Sequence, residues 1–373
     1  MKIIQIIDNL NTAGGVNSFV YDLCIALKDA GQNVTLIGIL GDSEKSKTQA
    51  MAVKNAGIPV HCLCMHGKKQ AIAKGMPKLR ALIKEISGGE PTVCNLHLKL
   101  SVLMGGLSTI GLKNVKCVET YHNTYHHYHL EFFFMQPRIK KYITVSETAK
   151  KEMFKRFHAP KNKVVAAPNG VDREKLRGMV SRFGHDGDYL SIISVGRLSY
   201  EKNFIVPVKA FSTLCNESIR YTIIGDGLQR QEIEEAAGGN PHIRFMGAVP
   251  RQTVLDELAA ADIIVMPSLW EGRSILQLEA MAFDLPMILS DVPGLREPFG
   301  EKQLELDEKY RICDFGFLVR TNEEEAYKSS VNNFVEKAER RTSIKDFVGQ
   351  ISEVVDLKVT IKKYISVYEE VFR

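Results

Sequence analysis

Pro267-Ser268-Leu269-Trp270-Glu271-Gly272-Arg273-Ser274-Ile275-Leu276-Gln277-Leu278-Glu279-Ala280-Met281-Ala282 sets two carboxylates eight positions apart, a glycine turn after the first and a helical run into the second. Immediately before it, Ala261-Asp262-Ile263-Ile264-Val265-Met266 is a short apolar run of the kind that forms a parallel strand buried on both faces. Strand, glycine turn and helix in that order build the crevice at the carboxyl end of an open α/β sheet, where such sheets bind ligands. Glu271 in the turn can reach a sugar hydroxyl, and Glu279, two turns into the helix, can accept from a ribose diol. The first helical N–H groups between them suit a phosphate. The same pair also reads as a first-turn acid facing the helix dipole and a solvated helix-face residue, so the rest of the chain has to decide.

Outward from this stretch, short apolar runs alternate with helical patterns as in βαβ units. Strands are expected at 3–7, 34–39, 61–65, 92–96, 115–119, 142–145 and 164–167, then at 190–195, 221–224, 243–245, 263–266 and 287–290. Helices are expected at 16–30, 229–237, 253–260 and 275–283. The turn cluster Pro168-Asn169-Gly170-Val171-Asp172 closes the first series, and the glycines and mixed charge of 177–188 suit a linker. The tail 359–373 carries Ile361, Ile365, Tyr368 and Phe372 at helical intervals.

At 373 residues the chain can bury two cores. Its 45% apolar and 25% charged content is that of a globular protein, and no apolar run approaches the roughly 18 residues of a membrane span. The start, Met1-Lys2-Ile3-Ile4-Gln5-Ile6-Ile7-Asp8, reads as a first strand rather than a signal peptide. Seven cysteines without a zinc spacing favour reduced thiols and a cytoplasmic chain. The net charge of +5 is unevenly spread: Lys68, Lys69, Lys74, Lys78, Arg80 and Lys84 form one basic stretch, and 138–163 forms another. These are either solvated helix faces or a surface for anionic lipid headgroups or a polyanionic acceptor, which would place the protein peripherally on the inner face of a membrane. Nucleic acid is not expected, because no recognition motif accompanies the charge.

Several smaller motifs hold chemistry-bearing residues. Gly14-Gly15-Val16 follows the first strand and opens a helix, so backbone N–H groups can approach an anion, although a tight turn needs the same residues. The dinucleotide fingerprint G-x-G-x-x-G is absent, which argues against a nicotinamide enzyme. Gly196-Arg197-Leu198-Ser199-Tyr200-Glu201-Lys202-Asn203 follows another strand, and Arg197 and Lys202 there can grip a pyrophosphate, one as a fork and one as a point charge. His122 ends a strand region and is followed by His126, His127 and His129, but no carboxylate or cysteine joins them at a ligand spacing, so no metal site is expected. Gly225-Asp226-Gly227 reads as a structural turn.

Taken together, Glu271-x7-Glu279, Gly196-Arg197 with Lys202, and His122 closely resemble the retaining GT-B glycosyltransferases of the family 4 type, and the resemblance covers nearly the whole chain. It implies two Rossmann-like, doubly wound parallel-sheet domains facing a central cleft, with the last helix crossing back to the first domain. The expected bounds are 1–176 plus 358–373 for the acceptor-side domain and 187–357 for the nucleotide-sugar domain. It further implies a donor that is a nucleotide-diphosphate sugar, a UDP-sugar ahead of a GDP-sugar, with no other cofactor and no metal. Residue by residue, Gly14 and Gly15 would face the diphosphate, as would Arg197, Lys202, Ser274 and the amides of Ile275 and Leu276. Val249 would contact the base, Glu279 the ribose, and Glu271 and His122 the sugar. The implied reaction is retaining transfer to a hydroxyl of a glycan or lipid-linked acceptor, in cell-surface polysaccharide or glycolipid synthesis. A sugar-nucleotide epimerase or hydrolase of the same architecture and a non-catalytic carbohydrate-binding protein are the rivals. Two departures stand out: Arg273 and Ser274 replace the aromatic and the glycine or proline common after Glu-Gly, and Asp284 stands where the family often has glycine.

Overall fold

The computed structural model describes residues 1–10, 14–41, 50–122, 134–337, 339–354 and 356–373. The chain divides into two compact units, Met1–Asn169 with Leu357–Arg373, and Gly170–Asp356.

The first unit holds a seven-stranded parallel sheet in the order β3-β2-β1-β4-β5-β6-β7. Its strands are β1 (Lys2–Asn9), β2 (Asn33–Leu40), β3 (Val60–Met65), β4 (Thr92–His97), β5 (Val115–Tyr121), β6 (Ile139–Thr144) and β7 (Val164–Ala166). All six residues of β4 are buried, because helices cover both faces of a parallel sheet. That double burial is why these strands read as unbroken apolar runs. Helices α1 (Gly15–Asp29), α2 (Met76–Ser87), α3 (Lys99–Ser108) and α4 (Glu147–Phe157) lie between strands. Leu79, Ile83, Leu100, Met104, Ala149 and Met153 send the helices' apolar faces into one core with Ile4, Ile6 and Leu96.

The second unit repeats the plan with the order β10-β9-β8-β11-β12-β14-β13. Here β8 is Leu190–Val195, β9 Ile219–Ile224, β10 Ile243–Gly247, β11 Ile263–Met266, β12 Met287–Ser290, β13 Tyr310–Cys313 and β14 Gly316–Val319. Only β13 runs antiparallel, paired with β14. Helices α5 (Arg173–Met179), α6 (Arg251–Ala260), α7 (Ile275–Ala282), α8 (Pro293–Arg296) and α9 (Glu339–Val354) belong to this unit, while α10 (Leu357–Glu370) belongs to the first. The β13–β14 hairpin was not expected. The division also falls at Asn169/Gly170, before the expected bound at 176, because α5 packs on α6 and α7.

Among the parallel strands of each sheet the order reverses direction once: between β1 and β4, and between β8 and β11. These two switch points, at the carboxyl ends of the strands, are where doubly wound sheets leave room for a ligand. Each unit is a Rossmann-like, doubly wound sheet, as the sequence motifs imply.

Candidate functional site

At the switch point of the second unit, Gly196 follows β8 and Pro267-Ser268 follows β11. Gly196 has φ +153°, a conformation only glycine adopts freely, so the chain turns out of the sheet there and leaves Arg197 exposed. Asn203 then ties the turn down, donating from Nδ2 to the carbonyls of Pro267 and Thr321, each at 3.2 Å. Between these anchors Lys202 Nζ forms a close ion pair with Glu271 Oε1, which also accepts from Ser268 Oγ at 3.0 Å. The Leu269 amide donates to the Glu201 carbonyl at 2.9 Å, locking the two loops together. Lys202 and Glu271 side chains keep 26% and 12% exposure, so water screens the pair only in part. Residues 69 apart in sequence thus present one cation and one anion side by side. Gly225 and Gly227 are structural, as expected: a Cβ on either would lie 1.8 Å from the Gly196 carbonyl oxygen or 2.2 Å from that of Leu198.

Helix α7 begins beside this pair. Ser274 is its N-cap and accepts from the Gln277 amide at 3.4 Å, which leaves the first-turn N–H groups of Ile275 and Leu276 without an acceptor inside the helix. Glu279, buried, pairs with Arg251 at 2.8 Å. Arg251 is the first residue of α6, two positions after the half-buried Val249, so the segment leaving β10 runs directly to Glu279. Arg273 is turned inward: its side chain is 7% exposed, it pairs with Glu297 at 3.8 Å, and its Nε has no hydrogen-bond partner among the described residues. The position often held by an aromatic is therefore filled by a buried cation. Asp284 adopts φ +59°, the left-handed region that glycine favours, and its carboxylate pairs with Arg173 and Arg177, both at 2.8 Å.

At the switch point of the first unit, Gly14 caps α1 and Gly15 starts it, both exposed. Gly14 is in extended backbone, and a Cβ there would meet nothing within 4 Å among the described residues. Among the described residues, neither strain nor packing calls for glycine at this position. His122 directly follows β5, half-buried, with the edge of Phe19 of α1 packed on its ring at a centroid distance of 5.8 Å. Its Nε2 lies 2.8 Å from Nδ1 of His97, the last residue of β4. Burial holds both imidazoles well below the usual histidine pKa, so both are neutral near pH 7. Asp8, at the end of β1, accepts the amides of Leu100 and Ser101 and so fixes the start of α3 beside β4.

The structure thus brings Lys202 to Glu271, and Gly14 and Gly15 onto the helix that packs on His122. Arg251, Ser268 and His97 were not singled out from sequence; only a polar residue inside a buried strand run, Asn95-Leu96-His97, signalled the last. Among the described residues no group of three histidine, cysteine, aspartate or glutamate side chains could hold a metal ion; His126, His127 and His129 lie outside the described residues. No helix of the described residues is long and apolar enough to cross a membrane.

Comparison with known proteins agrees with the fold. Residues 179–348 match the family model for glycosyl transferases group 1, and residues 13–175 match that for glycosyltransferase family 4. An uncharacterized glycosyltransferase of Methanocaldococcus jannaschii is 31% identical over 169 residues, 42% of this chain and 43% of that protein. A phosphatidyl-myo-inositol mannosyltransferase of Mycolicibacterium smegmatis is 24% identical over 97% of this chain and 92% of its own. Several curated relatives are matched over only about half of their length or less: 43%, 32% and 52%. The crystal structure of Anabaena HepE in complex with UDP and glucose superposes with a TM-score of 0.75 at 16% identity, covering 98% of each chain, and shares the fold.

Proposed function

The chain belongs to the GT-B glycosyltransferases of the family 4 type, and from that premise we propose that it transfers a sugar, with retention, from a nucleotide-diphosphate sugar to a hydroxyl of a glycan or lipid-linked acceptor. The observation that supports this most is the Lys202–Glu271 pair beside the capped start of α7. It sets a fixed cation, free amides and an orienting carboxylate together at a strand switch point.

In this reading Lys202, Arg197 and the amides of Ile275 and Leu276 take the diphosphate. These charges are already in place as the leaving phosphate becomes more negative, so no reorganisation is needed at the moment of bond breaking. Glu271, steadied by Lys202 and Ser268, orients the sugar through its hydroxyls. Glu279 exchanges Arg251 for the ribose diol, and Val249 meets the base. On the first unit, Gly14 and Gly15 offer amides to the diphosphate and His122 hydrogen-bonds a sugar hydroxyl. The acceptor hydroxyl attacks on the face of the departing phosphate, and a phosphate oxygen takes its proton. The structures of HepE hold UDP and UDP-glucose, which favours a UDP-sugar here, and no metal is needed in this scheme.

The phosphatidyl-myo-inositol relative favours a lipid-linked acceptor. Lys68, Lys69, Lys74, Lys78 and Lys84 are exposed together with Ile72, as are Lys151 and Lys155 on α4, and they suit peripheral attachment at an anionic cytoplasmic leaflet. Failure to co-sediment with anionic vesicles at low salt would end that part.

The test is a thermal-shift panel of nucleotide sugars followed by transfer assays on the donor that stabilises the protein most. Lys202→Ala and Glu271→Ala should each lower kcat by roughly 10²–10³-fold, about 2.7–4 kcal/mol. Unchanged transfer in both would reject the site. Product analysis with donor alone separates transfer from epimerisation or hydrolysis.

A further inference from the structure

Behind His122 lies a chain of buried polar side chains that the proposed reaction does not use. Gln5 of β1, Asn95 and His97 of β4, and Tyr368 of α10 are each 0% exposed, and Thr120 of β5 is 1% exposed. Polar groups buried this deeply are retained only when their hydrogen bonds are made, and here those bonds have a direction. Thr120 Oγ1 donates to Asn95 Oδ1 at 3.0 Å, which turns the Asn95 amide nitrogen toward Gln5 and Tyr368. Asn95 Nδ2 then donates to Gln5 Oε1 at 2.9 Å and to Tyr368 Oη at 2.9 Å, and Gln5 Nε2 donates to Tyr368 Oη at 3.1 Å. With both amides so oriented, two atoms face His97 Nε2: the Gln5 carbonyl oxygen at 2.7 Å and Asn95 Nδ2 at 3.2 Å. The two hydrogens of that amide nitrogen already go to Gln5 Oε1 and Tyr368 Oη, so the shorter contact to the Gln5 oxygen is the one His97 makes.

A carbonyl oxygen can only accept, so His97 Nε2 carries the proton. A neutral ring has one proton, which leaves His97 Nδ1 a bare acceptor. His122 Nε2, 2.8 Å away, must then be the donor. His122 is left with its own Nδ1 bare, and no described residue donates to that atom.

We propose that His97 is a positioning residue: with Gln5, Asn95 and Tyr368 it fixes His122 as the Nε2–H tautomer, so that His122 Nδ1 accepts a hydrogen bond from a sugar hydroxyl. The tautomer assignment stands on these contacts alone, and the sugar contact rests on the function proposed above. A hydroxyl is both donor and acceptor, whereas a locked imidazole selects only its donor side and one ring orientation. The last helix of the chain thereby takes part through Tyr368, whose oxygen accepts from both amides and holds Gln5 in the orientation that dictates the tautomer.

Imidazole 15N spectra of the full-length chain at pH 7.5, with the two rings assigned from His97→Asn and His122→Asn, test this directly. Both rings should be neutral and protonated on Nε2. Gln5→Leu removes the acceptor for His97, so His122 should become a mixture of tautomers. Transfer kcat should then fall about 10- to 100-fold, the cost of an unpaired or mismatched buried hydrogen bond, while affinity for the nucleoside diphosphate is unchanged. Tyr368→Phe keeps the ring and removes only the oxygen, and should act in the same direction should Gln5→Leu fold poorly. A wild-type His122 protonated on Nδ1, or an unaltered tautomer and unaltered kcat in both folded variants, would overturn the relay. Full transfer by His122→Ala with the tautomers as stated would overturn the sugar contact and leave the tautomer assignment intact.

Discussion

Gly294→Ala tests the donor site without touching any side chain assigned to it. Gly294 lies in α8, and a Cβ built on it would sit 2.2 Å from the Glu271 carbonyl oxygen and 2.6 Å from that of Gly272. An ordinary carbon–oxygen contact is more than 3 Å, so the Glu271–Gly272 peptide has to retreat by about 1 Å. Both contacts are to backbone, and no rotamer change can relieve them. The position is helical, so alanine itself is unstrained and even favoured there by about 0.5–1 kcal/mol. The overpacking costs about 1–3 kcal/mol, leaving a net loss of stability near 1 kcal/mol. Activity should suffer more. Moving the Glu271 loop relative to Lys202 and the start of α7 spoils the alignment of donor sugar and diphosphate, and a shift of about 1 Å can cost about 10²-fold in rate. Gly178→Ala is the control: a Cβ there meets nothing within 4 Å, so both activity and stability should hold. Steady-state transfer kinetics and calorimetric melting of the two variants decide. A Gly294→Ala enzyme that unfolds cooperatively and keeps kcat within threefold of wild type would refute the placement of the donor at this loop.

Acid should weaken the first unit. His97 is held neutral in the folded chain, with its pKa well below the usual 6.5, whereas the unfolded chain takes up the proton near pH 6.5. Below that pH the unfolded state binds more protons, so stability falls as pH falls, by up to about 1.4 kcal/mol per unit from this group. Urea midpoints at pH 7.5 and 5.5 should therefore diverge more in wild type than in His97→Asn, and equal pH dependence in the two would contradict the burial argument. Asp284 combines left-handed backbone with two ion pairs. Asp284→Ala keeps the strain and loses the pairs, while Asp284→Gly loses both, so the glycine variant should be more stable than the alanine variant by about 1 kcal/mol. Equal urea midpoints for the two would show that the strain has no cost.

Much of the fold was legible along the chain because its physical signals are local. A parallel strand covered on both faces is a continuous apolar run, and β4 and β11, buried along their whole length, stand out for that reason. The hairpin of β13 and β14 did not: Tyr310–Cys313 is only partly covered at the edge of the sheet, where packing no longer demands apolar residues. The departure at Asp284 was also visible, but its compensation was not, since Arg173 and Arg177 lie more than 100 residues away.

The candidate site divides along the same line. Glycine turns, the cation at Lys202 and the two acids around α7 follow from short motifs, because each reflects what one strand end and the next helix start must do. Which of these groups touch was decided by strand order alone. Placing β8 beside β11 brings Lys202 to Glu271, and placing β5 beside β4 brings His122 to His97. Arg251 reaches Glu279, and Arg273 turns inward to Glu297, for a related reason: a side chain's partner is set by which elements pack together. Composition and periodicity specify the elements, since those depend on neighbours a few bonds away. Charge pairing, burial and tautomer depend on groups brought together only when the sheet closes, and these the tertiary structure alone decides.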